Sequence, residues 1–136
     1  MGKLSTTSTY KPHVPTEAQD QEAVIAWWDM IRGRYPGTPQ LMHIPNEAKR
    51  SYAEGKRQQR MGLRRGAPDL VLFAARGGWN GLAIELKRVN HSTKPTPEQI
   101  ECLGNLANEH YKSVVCYGFD EAVKRIEDYM RGDHNA

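Results

Sequence analysis

Three side chains in the middle of the chain have the types and spacing to act on a phosphodiester. Asp69 precedes the apolar run Leu70-Val71-Leu72-Phe73, and Glu85 and Lys87 close the run Leu82-Ala83-Ile84-Glu85-Leu86-Lys87. Strand side chains alternate with a period of two, so Glu85 and Lys87 point to one side. The segment Gly77-Gly78-Trp79-Asn80-Gly81 joins the two runs and predicts a hairpin, with Asn80-Gly81 as its turn signal. Pairing through that turn could bring Asp69 and Glu85 to the same end of a sheet. Two carboxylates at one point repel each other, and a hard divalent cation such as Mg²⁺, which favours oxygen ligands and water, relieves the repulsion. A neighbouring lysine can orient a metal-bound water, or as the neutral amine deprotonate it, and as the ammonium offset charge on a phosphorane-like transition state. This is the equipment of metal-assisted phosphodiester hydrolysis. Singly, each signal has an ordinary explanation. A Glu-x-Lys pair protects an edge strand from aggregation, and Pro68-Asp69 marks a turn. Their combination on two paired strands beside a basic segment is what carries specificity.

That basic segment lies just upstream. Residues 47–66 hold seven basic side chains against Glu47 and Glu54, a local +5, whereas residues 98–136 hold four basic against eight acidic, a local −4. The overall charge of +3 conceals this asymmetry. One cationic face suits a polyanion such as nucleic acid; a solvated helix surface is the plainer reading of the same run.

The elements that must position these groups are legible along the chain. With 136 residues, one domain is expected, since domains commonly run to roughly 100–200 residues. Residues 1–15 are Ser/Thr/Pro/Lys-rich and read as a flexible tail, residues 16–131 as the single domain, and residues 132–136 as a frayed end. Thr16-Glu17-Ala18-Gln19 fits a capping box opening a helix with Val24, Trp27, Trp28 and Ile31 on one face. At that spacing the two tryptophans read as core, and Trp79 in the turn is the better exposed candidate for a partner or DNA contact. A short strand at residues 41–44 and a polar, basic helix over about Glu47–Gln59 follow. After the hairpin, Thr96-Pro97-Glu98-Gln99 signals another capped helix, to about Glu109. The strand Val114–Tyr117 comes next, then a last helix, Glu121–Arg131, capped by Asp120. The order α-β-α-β-β-α-β-α predicts an α/β domain with a mixed sheet flanked by helices. Cys102 and Cys116 are too few and too far apart for a zinc site or disulfide framework and read as reduced core residues. No apolar run approaches the roughly 18 residues of a membrane span, and the first residues lack the apolar stretch of a secretion signal, so a cytoplasmic protein is expected.

Two stretches also carry a resemblance. Arg65-Gly66-Ala67-Pro68-Asp69-Leu70 followed by Gly81-Leu82-Ala83-Ile84-Glu85-Leu86-Lys87 resembles the PD-(D/E)xK nucleases, and more narrowly the VRR-NUC domain found in stand-alone phage proteins. The likeness spans about residues 16–130. It includes the Glu17-x-x-x-Gln21 helix, Ile44-Pro45-Asn46…Arg50, Pro97-Glu98-Gln99 and Tyr117-Gly118-Phe119-Asp120-Glu121-Ala122. It departs from the family pattern at Ala67, where Val is more usual. The resemblance implies a restriction-endonuclease-like core, Mg²⁺ or Mn²⁺ dependence and structure-selective DNA cleavage. Stand-alone members are similar to homodimeric Holliday-junction resolvases, and a phage-encoded protein would act in the host cytoplasm.

Carried onto this chain, the resemblance makes Asp69, Glu85 and the Leu86 carbonyl metal ligands and Lys87 the catalytic lysine. The family also uses a first-helix glutamate, which the resemblance makes a catalytic residue and a further metal ligand. Glu17, on the helix face of Gln21, Val24 and Trp28, suits this better than Glu22 on the opposite face; a carboxylate favoured by the helix dipole is the other explanation of Glu17. Gln99 resembles a catalytic glutamine of the family and equally serves as the third residue of its capping box. Asn46, Lys49, Arg50, Arg57, Arg64 and Arg65 are candidate DNA-phosphate contacts, the last two a few residues before Asp69. Symmetric cutting of a junction needs two active sites, hence a two-fold dimer, for which the hairpin around Trp79 is one candidate surface. The rival functions are a non-catalytic nucleic-acid-binding module, a nuclease acting on flaps or nicked duplex, and an interaction scaffold.

Overall fold

The structure is a computed structural model that describes residues 12–45 and 51–132. Its elements, in chain order, are α1 (Glu17–Ile31) with a 3-10 turn at Arg32–Arg34, β1 (Gln40–His43), α2 (Tyr52–Arg60), β2 (Leu70–Phe73), β3 (Gly81–Lys87), α3 (Pro97–Asn108), β4 (Tyr111–Tyr117) and α4 (Phe119–Met130). The four strands form one mixed sheet in the order β1-β2-β3-β4. β1 and β2 pair antiparallel, as do β2 and β3, while β4 runs parallel to β3. Together with the helices this is the mixed α/β architecture that the element order predicts.

The period-two alternation of β3 divides the core. Leu82, Ile84 and Leu86 enter the larger cluster with Val24 and Trp28 of α1 and Ile126 and Tyr129 of α4. Ala83 turns the other way, joining Val71 and Leu103 in a smaller cluster on the α3 side. Every residue of β3 is therefore buried. Continuing two at a time along the face of Ala83 leads to Glu85 and then Lys87, so the sheet drives two charged side chains inward. Trp28 is fully buried; its indole N–H donates to the Pro39 carbonyl at 3.0 Å, and its ring stacks on Tyr35. Trp27 is half-buried against the same cluster, so the pair is core as expected.

Both predicted capping boxes are present. Gln19 N–H donates to Thr16 Oγ1 and Thr16 N–H to Gln19 Oε1 at 3.1 and 2.9 Å, and Gln99 and Thr96 do the same at 3.2 and 2.9 Å. Other expectations need correction. α2 starts after Ser51, whose extended backbone and side-chain cap on Glu54 N–H fix its beginning; residues 46–50 lie outside the described residues. The hairpin turns at Gly77-Gly78 rather than Asn80-Gly81: both glycines have positive φ, and Arg76 and Trp79 exchange backbone hydrogen bonds across them. Asn80 instead ties the hairpin to the end of α3, through the carbonyls of Glu109 and His110. Trp79 is not an exposed contact residue. It is half-buried against the main core, with the Lys112 ammonium over its ring. β4 begins three residues earlier than expected, at Tyr111. Asp120 does not cap α4, whose N-cap is Gly118; Asp20, buried on α1, accepts the Phe119 backbone N–H instead.

Candidate active site

The site forms where β2 stops and β3 continues. The register pairs Leu70 with Ile84, and the next step places Asp69 opposite Glu85. There the ladder changes character, because the Leu86 N–H donates to Asp69 Oδ2 at 2.7 Å. The carboxylate thus takes the position of a strand partner. Its backbone is fixed too: the Asp69 carbonyl accepts the Ile44 N–H at 3.0 Å and lies 2.9 Å from the His43 ring nitrogen Nδ1. Gly66, three residues upstream, has φ +87° and passes so close to α3 that an added Cβ would lie 2.5 Å from the Glu98 carbonyl oxygen. Only glycine permits that approach.

Glu85 is 1% exposed and Lys87 6%, so this ion pair is desolvated. Lys87 Nζ lies 3.3 Å from Glu85 Oε1 and 3.5 Å from Glu17 Oε1, bridging a strand carboxylate to a helix carboxylate. Of the two first-helix candidates, Glu17 is the one at the site; Glu22 is exposed. Burial, reinforced by the negative charge of Asp69, pushes the Glu85 carboxyl up to about 8 against the pull of Lys87. Burial also raises Asp69, opposed by the Leu86 N–H. The pair therefore resists carrying two full negative charges at neutral pH.

No N–H or hydroxyl donor reaches the buried Glu85 Oε2; besides Lys87, the Glu85 carboxyl meets the carboxyl of Asp69. An unsatisfied acceptor beside a second carboxylate is suited to a hard cation. Among the described residues no three or more His, Cys, Asp or Glu side chains converge as a metal cluster; Asp69 and Glu85 meet at the site, while the expected ligand Glu17 reaches Lys87. The donor set fits an octahedral ion such as Mg²⁺, which keeps several waters and takes one or two carboxylates.

The remaining predicted residues are scattered by comparison. Gln99 is half-buried, and its Oε1 is engaged by the Thr96 N–H. Arg57 pairs with Glu54 at 3.3 Å, and Arg64 donates to the carbonyls of Gln59 and Leu63 at 2.9 and 3.3 Å. Arg64 and Arg65 are exposed on the segment leading to Asp69. Asn46, Lys49 and Arg50 lie outside the described residues.

Sequence reasoning missed Arg88. Its guanidinium donates to the carbonyls of Val14 at 2.8 Å and Pro15 at 3.3 Å, and its backbone N–H to Thr93 Oγ1 at 3.0 Å. Two residues assigned to the tail are thereby held at the end of β3, immediately before the cap that presents Glu17. The adjacency of Arg88 to Lys87 was the available signal, but nothing local says what an arginine will reach.

The sequence matches the VRR-NUC domain over residues 15–120. The chain belongs to the VRR-NUC domain family. A solved structure described as a VRR_NUC domain protein superimposes with a TM-score of 0.75 at 32% sequence identity, covering 88% of this chain and 92% of that one. No curated protein matches. Membership makes this VRR-NUC chain one of a nuclease family, for which DNA is the implied substrate. Among the described residues no helix is long and apolar enough to cross a membrane.

Proposed function

We propose that this VRR-NUC chain is a divalent-metal-dependent, structure-selective DNA endonuclease that resolves four-way junctions as a homodimer. The observation that carries the reading is the buried Glu85 facing the half-buried Asp69, with Lys87 salt-bridged beside it. Asp69, Glu85 and the Leu86 carbonyl would hold Mg²⁺ or Mn²⁺. The bound ion supplies Lewis acidity at a phosphoryl oxygen and a lowered pKa for water. The chain's own groups do the rest. The Leu86 N–H fixes the Asp69 carboxylate, and Glu17 and Glu85 hold the Lys87 ammonium where it offsets negative charge growing on the phosphorus oxygens. Arg88 keeps the start of α1, and with it Glu17, against this site. Arg57, Arg64 and Arg65, with Asn46, Lys49 and Arg50, contact the DNA backbone; Gln99 is assigned a catalytic part besides its capping bond. A two-fold dimer gives one such centre per strand of a junction.

The test is a panel of labelled single-stranded, duplex, nicked, flap and four-way DNAs with Mg²⁺ or Mn²⁺. Paired symmetric cuts in the four-way DNA are expected, from a particle of twice 15.4 kDa. Preferred cutting of flaps or nicked duplex replaces the junction assignment. Salt-sensitive binding without cleavage in either ion makes the chain a binding module and overturns the proposal.

A further inference from the structure

α2 stands apart from the rest of the fold. It buries no side chain, and its backbone approaches no other strand or helix among the described residues. Beside it lies a cleft of about 490 Å³ whose walls include Ile44, Met61, Leu63, Pro68, Val71 and Leu106. That volume lies within the roughly 300–1,000 Å³ of small-ligand sites. Polar groups are few in this lining: the Gln58 amide, the Arg64 guanidinium and the Cys102 thiol.

Two observations join the cleft to the acid pair. Pro68, in one wall, is followed directly by Asp69. Val71, in another wall, packs with Ala83 on the face of β3 that carries Glu85. The surroundings are cationic, with Lys56, Arg57, Arg60, Arg64 and Arg65 all exposed. An occupant that combines an apolar body with an attached anion suits these surroundings, and it would lie next to the groups that act on that anion.

We propose that the cleft receives a nucleobase of the DNA substrate that leaves its stack at a branch point, while the cationic surroundings hold its backbone and the adjoining phosphodiester lies at Asp69 and Glu85. This rests on the nuclease reading of the same site and adds to it what is recognised. A base stacked in duplex has its faces covered already, whereas a base at a branch point enters an apolar pocket at little cost in lost stacking. Selectivity for irregular DNA then follows from an apolar pocket rather than from base-edge hydrogen bonds.

Cys102 is a built-in reporter, because Cys116, the other cysteine, is fully buried with its thiol pushed up to about 12. The experiment measures alkylation of wild-type protein by a maleimide, without divalent ions. It compares protein alone at several concentrations with protein saturated by three DNAs of equal length: a paired duplex, the duplex with one extrahelical adenine, and the same DNA with an abasic analogue at that position. Saturation is set by anisotropy. The extrahelical adenine is expected to slow alkylation about tenfold, as when roughly nine-tenths of the clefts are occupied, and the other two DNAs to slow it little. Equal protection by all three saturated DNAs overturns the inference and leaves the nuclease reading standing. Protection that grows with protein concentration alone assigns the cleft to a second copy of the chain and overturns it too. Failure to bind any of the DNAs at low salt defeats the nuclease reading itself.

Discussion

At the scale of single residues, burying Glu85 beside Asp69 makes its carboxyl hold its proton, and that has a thermodynamic signature. The group's value rises from 4.5 to about 8 on folding. A raised carboxyl favours the folded state while protonated, so this contribution is complete below about 4.5 and is lost as pH rises through about 8. Asp69, also raised, acts in the same sense. In metal-free buffer the melting temperature should therefore fall between pH 5 and pH 8.5 by an amount that Glu85→Gln largely removes. Added Mg²⁺ should restore more stability at the upper end of that window, because fewer protons must leave. A wild-type melting temperature that rises across the window contradicts the assignment. The acid pair itself was legible from sequence because two local rules suffice for it: alternation along β3 and a hairpin joining β2 to β3. The setting of Lys87 was only half legible. Its side of the strand followed from spacing, but the Arg88 bonds that bring Glu17 to it connect residues more than seventy positions apart.

At the scale of elements, α1 is both a wall of the core and the carrier of Glu17. Trp28 fills the space between α1 and the sheet with no exposed surface and a satisfied indole N–H. Trp28→Ala should cost about 3–5 kcal/mol, the range for emptying a large aromatic site, measurable by urea denaturation; a loss below 1 kcal/mol would mean that α1 does not pack as described. Element identities were readable because their signals are short-range, as the two capping boxes show. Where the structure departs from those signals, the causes are physical. Gly77-Gly78 and Asn80-Gly81 compete for one turn, and the pair allowing positive φ at both central positions closes the ladder, leaving Asn80 free to bond α3. Asp120 has the chemistry of a cap, but Asp20 arrives from another helix to bond the Phe119 N–H. The apolar cleft beside α2 left no trace in the pattern, since it arises from a polar helix failing to pack.

At the scale of the whole molecule, the charge asymmetry becomes a division of surfaces, with exposed arginines leading into the acid pair and the acidic α4 behind the sheet. Binding to DNA without cleavage should weaken steeply with salt. Arg64→Ala should lower the slope of log affinity against log salt by about 0.9, the value of one phosphate contact, without altering which DNA is preferred. An unchanged slope removes Arg64 from the interface. Single-turnover cleavage of a four-way junction in Mg²⁺ tests most directly whether Asp69, Glu85 and Lys87 form a hydrolytic centre. Lys87→Ala is predicted to cut about 10²–10³-fold more slowly than wild type, in line with removal of one transition-state charge partner, while its junction affinity in EDTA stays the same. Equal cleavage rates for the two proteins would contradict the account.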